Sequence, residues 1–288
     1  MDSFYHHIFS LYFQKEITIK EVRSLSGGCI NNAVKVVLPE GIFCVKTNQA
    51  SRFPGMFEKE AKGLLELKKA NALQVTEPLQ VGEINGTQFI ILSYVESNPR
   101  RRDFWEDFAH SLAQQHAHSS ENFGLDHDNY IGSLPQKNKW DNNWIRFWIE
   151  NRLQPQLALA SEKGLVDSKL QSGFEKLYQK LPELLPEVKP GLLHGDLWTG
   201  NFMTGPEGKA VLIDPAVYYG APETELAYTQ LFGGFDEEFY EAYNNVAKLE
   251  KGYEKRFDLY NLYPLLVHVN LFGESYLTGI RNILLAYS

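Results

Sequence analysis

The chain has 288 residues, of which 43% are hydrophobic and 22% charged, with a formal net charge of −8 and a pI near 5.5. This length suits one large domain or a two-lobed one, and the acidic balance argues against nucleic acid as a main partner, because phosphate binding needs concentrated Lys and Arg. The two cysteines, without C-x-x-C or paired Cys/His spacing, indicate neither a disulfide framework nor a zinc site.

The N-terminal third is predicted to consist of one helix followed by strands. Phe4, Ile8 and Leu11 fall at helical spacing, which predicts an amphipathic helix over 3–14. Runs rich in β-branched residues and separated by glycine-containing turns predict a meander. The predicted strands are 17–25, 33–38, 42–46 and 87–92, with a hinge at 93–96. Residues 1–10 lack a basic region and no apolar run reaches membrane length, so we expect a cytoplasmic protein with no membrane partner.

A glycine-rich turn, SGGCINN, joins the first two predicted strands. Gly27 and Gly28 would let backbone N–H groups approach phosphate oxygens without a Cβ in the way. The third glycine of G-x-G-x-x-G is missing, so these residues alone favour an ordinary hairpin over a nucleotide loop. Cys29 lies in the same turn, and a redox switch through its oxidation is a hypothesis beside the simpler interpretation as a small buried residue.

Lys46 ends the third predicted strand, and the segment 56–70 follows as a helix with one apolar face, which Glu60 neighbours. In kinases a strand lysine grips the α- and β-phosphates of ATP and is held by a glutamate of the following helix. Each residue alone would favour a solvated position. Their order relative to the glycine turn and to Asp196 favours the paired role.

The predicted hinge contains Ser93, Tyr94 and Val95, whose backbone groups would bind adenine, a role open to any residue type. The chain beyond it is predicted to be mainly helical, with helices over 141–160, 167–181, 222–231, 236–250 and 254–287. The intervening run FGLDHDNYIGSLPQKNKW has the composition of a surface loop. His116 and His118 would face different ways on a helix, so they do not indicate a metal site.

The segment 192–216 carries the pattern that most strongly predicts function. Asp196 lies in a His-Gly-Asp triplet, Asn201 follows five residues later, and Asp214 ends an apolar run. Protein kinases use H-R-D-L-x-x-x-N and a later Asp in this order: the first Asp accepts the substrate hydroxyl proton, and the Asn and second Asp hold magnesium. The spacing predicts phosphoryl transfer from ATP, with Asp196 as base and Asn201 and Asp214 as Mg²⁺ ligands.

Two departures from the protein-kinase pattern argue against control by phosphorylation. Gly195 replaces the arginine that pairs with an activation-loop phosphate in regulated protein kinases. Only eight residues separate Asp214 from Glu223, too few for a long activation segment with its own phosphosite. We therefore predict activity that does not require phosphorylation of the chain.

Residues 194–201 read H-G-D-L-W-x-G-N, which resembles the signature of the fructosamine kinase (ketosamine kinase) family. Further similar motifs are the G-G-C of the glycine turn, N-Y-I-G and Q-x-N within 129–138, and G-x-x-E-x-E-L-A at 220–227. The resemblance implies a bilobal, protein-kinase-like α+β fold, with an N-terminal antiparallel-sheet lobe over 1–95 and a mainly helical catalytic lobe over 96–288. It also implies that Gly27 and Gly28 belong to a nucleotide loop.

The same resemblance implies an ATP- and Mg²⁺-dependent small-molecule kinase. Its substrates would be ketosamines, which are sugars attached to amines by glycation, either as small molecules or on glycated proteins. Phosphorylation of the fructosamine or ribulosamine sugar at O3 gives a product that falls apart and releases the amine. The preferred sugar and amine stay open, as does the choice between a monomer and a homodimer.

Substrate contacts are predicted at Trp198, Glu223 and Glu225. Trp198 could offer a flat apolar face to a sugar or a cation, or pack beneath the loop. The two glutamates could receive a protonated amine or support the catalytic loop. An aminoglycoside or other amino-alcohol phosphotransferase shares H-G-D and N and is the nearer alternative. A nucleotide-binding protein without catalysis is the rival from another class, although every residue required for transfer is present.

Overall fold

The structure is a computed structural model that describes residues 2–25 and 31–287. Its first lobe combines two helices with a run of strands. These elements are α1 (Asp2–Phe13), β1 (Glu21–Ser24), β2 (Asn32–Leu38), β3 (Gly41–Gln49), α2 (Met56–Lys69), β4 (Gln74–Val75), β5 (Pro78–Ile84) and β6 (Thr87–Ser93).

Five of these strands form an antiparallel sheet in the order β1-β2-β3-β6-β5, with α1 and α2 on opposite faces. Because successive side chains of a strand face opposite sides, Phe43 and Val45 of β3 pack against α1, whereas Cys44 and Lys46 face α2. Ile8 of α1 is fully buried there, and burying one such side chain stabilises the fold by about 1.5–3 kcal/mol. The predicted meander is present, with a shorter first strand.

The second lobe is mainly helical and adds short strands around two loops. Its elements are α3 (Phe104–Ala117), β7 (Asn129–Ile131), β8 (Leu134–Gln136), α4 (Trp144–Trp148), α5 (Gln154–Glu162), α6 (Ser168–Leu184), β9 (Gly191–Leu193), β10 (Phe202–Thr204), β11 (Ala210–Leu212), β12 (Tyr218–Gly220), α7 (Pro222–Leu231), α8 (Glu237–Val246), α9 (Tyr253–Phe272) and α10 (Leu277–Tyr287). None of the helices within the described ranges is long and apolar enough to cross a bilayer.

The helix predicted over 141–160 is present as α4 and α5, joined by a π-helical turn over Ile149–Leu153. Such turns recur at functional sites because they alter the direction of the side chains on the helix. Here the turn directs Arg152 into the lobe, where the side chain is fully buried.

Two expectations for the second lobe need correction. The run 123–140 is not a surface loop: β7 and β8 pair as a hairpin, and Asn129, Gln136 and Asn138 are buried. Polar composition suggested exposure, but Asn129 and Gln136 bond carbonyls that lie more than about eighty residues away in sequence, and composition does not show such partners. The helical stretch predicted over 254–287 is divided at Gly273, whose positive φ of 98° ends α9.

Short strand pairs bring two loops of the second lobe together. β9 pairs with β12, and β10 pairs with β11. The loop 194–201 connects β9 to β10, and the loop 213–217 connects β11 to β12. Both loops therefore emerge at the same edge. β4, which precedes the predicted lobe boundary at 95, pairs in parallel with β11 and so lies beside this edge.

Candidate active site

The two loops carry the three residues predicted to do the chemistry. The backbone N–H of Ala216 donates to the carbonyl of His194 at 2.8 Å, and that of Ile213 donates to the carbonyl of Asn201 at 3.0 Å. These bonds fasten one loop to the other on both sides of Asp214. Asp196, Asn201 and Asp214 are therefore brought to one site.

Asn201 is oriented by Asp196. Its Nδ2 donates to the backbone carbonyl of Asp196 at 2.8 Å and to the carboxylate Oδ2 of the same residue at 2.9 Å. Both N–H groups are thus used within the loop. The amide oxygen Oδ1 is left as an acceptor, which is the atom that a metal ligand needs.

Lys46 links the two lobes at this site. Its ammonium group contacts Glu60 Oε1 of α2 at 2.7 Å and also contacts the carboxylate of Asp214. Burial lowers the pKa of Lys46, but the negative charges of Asp214 and Glu60 outweigh that effect, so the net shift is upward. The lysine stays charged, as phosphate binding requires.

The carboxyl of Asp196 has a raised pKa. Burial is the main cause and raises the pKa to about 7. Hydrogen bonds from Tyr228 and Asn201 lower the pKa, and the charges of Asp214 and Glu225 raise it further. A carboxyl with a pKa near neutral pH is well suited to act as a general base.

His194 supports the loop from within. Its Nε2 donates to the carbonyl of Ile213 at 2.8 Å, and its Nδ1 lies 3.3 Å from the backbone N–H of Asp196, from which it accepts. Burial lowers the pKa of His194, and this hydrogen-bond pattern is that of a neutral imidazole. The geometry is that of a structural support rather than of an acid or base.

Glu225 of α7 supports the same loop from the other side. Its carboxylate accepts from the backbone N–H of Gly195 at 2.7 Å and from that of His194 at 3.2 Å, and His116 Nε2 lies 2.9 Å away. Although burial raises the pKa of Glu225, the bond from His116 lowers it, and the net shift is downward. The carboxylate of Glu225 thus contacts the backbone of the catalytic loop, as the supporting role predicts.

Steric crowding explains why a glycine stands in the middle of His-Gly-Asp. Gly195 has a φ of 83°, and a Cβ at this position would overlap the carbonyl oxygen of Ala216. The close approach of the two loops thus excludes any side chain here. An arginine, as in protein kinases, would force the loops apart.

The carboxylate of Glu223 is paired with an arginine of α9. Its carboxylate accepts two hydrogen bonds from Arg256 of α9, at 2.7 and 2.6 Å, and its side chain is 6% exposed. Such a bidentate pair uses both oxygens. Glu223 and Glu225 are 5% and 3% exposed, and both carboxylates accept hydrogen bonds from protein groups.

Trp198 remains open to solvent. Its ring packs over Gly200, where a Cβ would overlap it, and 36% of the residue is exposed. The spacing W-x-G thus reflects a ring that covers the backbone of its own loop. The exposed part of the ring is available to a ligand.

The three predicted hinge residues differ in whether their backbone groups are already hydrogen-bonded. The backbone N–H of Ser93 donates to the carbonyl of Glu77 at 2.9 Å and is occupied. Among the residues described here, the backbone groups of Tyr94 and Val95 make no hydrogen bond to the protein. Gly27, Gly28 and Cys29 lie outside the described residues.

Several residues that support the site are not evident from the sequence. Asn129 and Gln136 donate to carbonyls of the loop after Asp214, and His116 orients Glu225. Only the likeness of the N-Y-I-G and Q-x-N motifs to the family pointed to the first two. Tyr228, which hydrogen-bonds Asp196, carries no signal in the sequence, because its partner lies about thirty residues away.

The donors present fit a magnesium ion. Asn201 presents an amide oxygen whose amide nitrogen is already bound, and the side chain of Asp214 is 46% exposed. Mg²⁺ is commonly bound by one or two protein carboxylates and few other protein groups, while substrate phosphates and water complete its coordination shell.

Comparison with known proteins agrees with this geometry. The model of the fructosamine kinase family matches residues 1–287. The chain belongs to this family. It is therefore a phosphotransferase, and ATP is its phosphoryl donor.

Two relatives illustrate the similarity. The chain is 40% identical over 274 residues to a probable ketoamine kinase of Synechocystis, covering 92% of this chain and 90% of the relative. It is 39% identical over 274 residues to a chloroplastic protein-ribulosamine 3-kinase of Arabidopsis thaliana, covering 94% and 83%.

Solved structures support the kinase-like fold. A putative fructosamine-3-kinase from Thermobifida fusca superimposes with a TM-score of 0.86 at 32% identity, covering 98% of this chain and 97% of that one. An aminoglycoside phosphotransferase superimposes with a TM-score of 0.67 at 14% identity and full coverage of both chains, which shows the shared fold alone. The predicted bilobal α+β fold is confirmed.

Proposed function

We propose that this kinase phosphorylates the sugar of ketosamines at O3, as on fructosamines and ribulosamines, which leads to release of the amine. The names of its relatives, ketoamine kinase and protein-ribulosamine 3-kinase, support this substrate class. The observation that carries the proposal is the assembly of Asp196, Asn201, Asp214 and Lys46 at one edge. This is the set that phosphoryl transfer to an alcohol requires.

Asp196 acts as the general base. Its pKa near 7 leaves a substantial ionised fraction at neutral pH, and one carboxylate oxygen is already oriented by Asn201. In the ionised form it accepts the proton of the sugar hydroxyl as that oxygen bonds to the γ-phosphorus of ATP, while the bond from this phosphorus to the bridging oxygen breaks and ADP leaves. Because the transition state of phosphoryl transfer is loose, most of the remaining work is positioning and neutralisation of charge.

Lys46 binds the phosphates of ATP and is aligned by Glu60 at 2.7 Å. In this proposal the backbone groups of Tyr94 and Val95 bind adenine. Gly27 and Gly28 belong to the loop that binds the nucleotide phosphates. Asn201 and Asp214 would hold Mg²⁺, which neutralises phosphate charge when bound.

Trp198 contacts the substrate in this proposal. Its exposed ring lies two residues past the base and gives a flat apolar face on which a sugar ring or a cationic amine can stack. Glu225 acts on the substrate only indirectly, through the loop that carries Asp196. Glu223 contributes to folding of the lobe.

The test is ATP-dependent release of ADP with ribulose-lysine and fructose-lysine as parallel substrates in the presence of Mg²⁺. We expect turnover on at least one, with loss of turnover in Asp196→Asn. An aminoglycoside in the same panel serves as the control for the alternative acceptor. Turnover on the aminoglycoside and silence on both ketosamines would overturn the substrate assignment.

A further inference from the structure

A segment over residues 215–219, here called the post-aspartate segment, follows Asp214 directly. Its carbonyl oxygens are bound by amides of the β7–β8 hairpin. Gln136 Nε2 donates to the carbonyl of Ala216 at 2.9 Å, and Asn129 Nδ2 donates to the carbonyl of Val217 at 2.8 Å. The hairpin therefore holds the backbone two and three residues beyond the predicted metal ligand.

The amides of the hairpin are themselves fixed. Gln136 uses its second N–H on Asn129 Oδ1 at 2.8 Å, and its Oε1 accepts from the hydroxyl of Tyr263 at 2.7 Å. Asn138 Nδ2 also donates to Asn129 Oδ1, at 2.9 Å. The amide of Gln136 consequently has one orientation that satisfies all of its partners.

Arg152 closes this network from the π-helical turn. Its guanidinium donates to Asn138 Oδ1 at 2.8 Å and to the carbonyl of Lys137, and it lies 3.9 Å from the centre of the Tyr218 ring. Tyr218 belongs to the post-aspartate segment. A fully buried cation thus clamps the hairpin and the segment against each other.

The same hairpin touches the helix that carries Glu60. The hydroxyl of Tyr130 donates to the carbonyl of Pro54, two residues before α2, at 3.1 Å, and Lys59 lies 4.9 Å from the centre of its ring. From the post-aspartate segment, Tyr219 donates to Glu66 of α2 at 2.9 Å. The hairpin, the segment and α2 are therefore mutually linked.

We propose that Asn129 and Gln136 are positioning residues for Asp214. They hold the post-aspartate segment, and thereby Asp214, in the arrangement that binds magnesium with ATP. Asp214 has a φ of 54°, a left-handed conformation that is uncommon for a non-glycine residue, although aspartate tolerates it better than most. The two carbonyl bonds constrain the segment that follows it. The inference rests on the proposed function for the role of Asp214.

The experiment compares Gln136→Met with the matched control Asn270→Leu. Both replacements remove a buried amide that donates two hydrogen bonds. The side-chain amide of Asn270 donates both of its bonds to Gln156 of α5 rather than to the post-aspartate segment. The measurement is the dissociation constant of ATP with and without Mg²⁺, at a temperature where circular dichroism shows each variant folded.

For the wild type we expect Mg²⁺ to tighten ATP binding. The ratio of the ATP dissociation constants without and with Mg²⁺ is here called the magnesium effect. In Gln136→Met we expect this magnesium effect to fall at least tenfold while magnesium-free ATP affinity stays within twofold. In Asn270→Leu we expect the magnesium effect to be unchanged. If Gln136→Met does not fold, Asn129→Ser is the second variant. It removes the bond to Val217 together with the acceptor of Gln136 and Asn138, and it is expected to lower the effect at least threefold.

An unchanged magnesium effect in the folded Gln136 or Asn129 variant, or an equal loss in Asn270→Leu, would overturn the proposal. So would a wild type whose ATP affinity ignores Mg²⁺. The binding measurement needs no acceptor. A wild type that shows the magnesium effect but phosphorylates no ketosamine would contradict the proposed function and leave this inference standing.

Discussion

At the scale of single residues, groups around Asp196 act on its pKa in opposite directions. Burial and the neighbouring carboxylates disfavour its charge, while Asn201 at 2.9 Å and Tyr228 stabilise it. The resulting pKa of about 7 is far above that of an ordinary aspartate. A base with this pKa is ionised over part of the neutral range and is a stronger proton acceptor than a typical carboxylate.

The first prediction concerns pH. Because only the ionised carboxylate can accept a proton, the rate should fall as the pH falls through about 7. Tyr228→Phe removes a hydrogen bond that stabilises the charged form, so this limb of the kcat profile should move to higher pH. The measurement is kcat between pH 5.5 and 9 for both proteins. A shift in the opposite direction, or none, would contradict the interpretation.

The second prediction is for Asp196→Asn. The amide keeps the shape of the side chain but cannot accept the proton, so kcat should fall by about 100- to 10,000-fold. The dissociation constant of ATP should change by less than about threefold, since Lys46 and the hinge are untouched. Isothermal titration and a turnover assay measure the two quantities. A large loss of ATP affinity would instead indicate a binding role for this carboxylate.

The start of α7 shows how neighbouring residues on one element divide their roles. Glu223 and Glu225 are two positions apart and so point in different directions on a helix. Glu225 bonds the backbone of Gly195, and Glu223 bonds Arg256 of α9. The first connects the helix to the catalytic loop, whereas the second connects it to the core of the lobe.

The third prediction separates these roles. Glu223→Ala leaves the charge of Arg256 buried without its partner, which should lower the free energy of unfolding by about 3–5 kcal/mol. The matched control Glu77→Ala breaks an exposed ion pair with Lys68 and should cost less than about 1 kcal/mol. Urea denaturation measures both. An unchanged stability for Glu223→Ala together with a raised KM for the ketosamine would restore the substrate role.

At the scale of the whole molecule, residues 215–221 occupy the position where regulated kinases carry a long activation segment. Here this segment is short and packs against the catalytic lobe. The chain passes from Asp214 to α7, which begins at Pro222, and its middle pairs as β12 with β9. The close contact of Gly195 with Ala216 leaves no space for a phosphate-binding arginine. The two lobes are instead linked by Lys46 and by the hairpin contacts to α2.

The fourth prediction follows from this arrangement. Enzyme treated with phosphatase and then freed of it should keep its full kcat and KM for ATP, because the segment between Asp214 and α7 is already paired with β9. Mass spectrometry before and after treatment serves as the control for any phosphate removed. A severalfold loss of kcat that tracks removal of phosphate would defeat the prediction.

Local pattern was sufficient for much of the fold and for part of the site. Helical and alternating periodicities predicted α1, α2 and the meander because burial of one face of each element leaves its mark in the order of residues. The order and spacing of Asp196, Asn201 and Asp214 match the kinase pattern and so predicted a shared site. In the structure these residues lie on two loops that short strand pairs hold together. The predicted order of Lys46 and Glu60 corresponds to the ion pair in the structure.

Sequence by itself determined the class of chemistry and the family, since both are encoded in short motifs. Only the tertiary structure decided what the remaining polar residues do. Asn129 and Gln136 looked like loop residues, and Glu223 looked equivalent to Glu225, because hydrogen bonds are directional contacts between residues that are distant in sequence. The close approach of Gly195 and Ala216 is of the same kind: the steric limit exists only when the two loops are folded against each other.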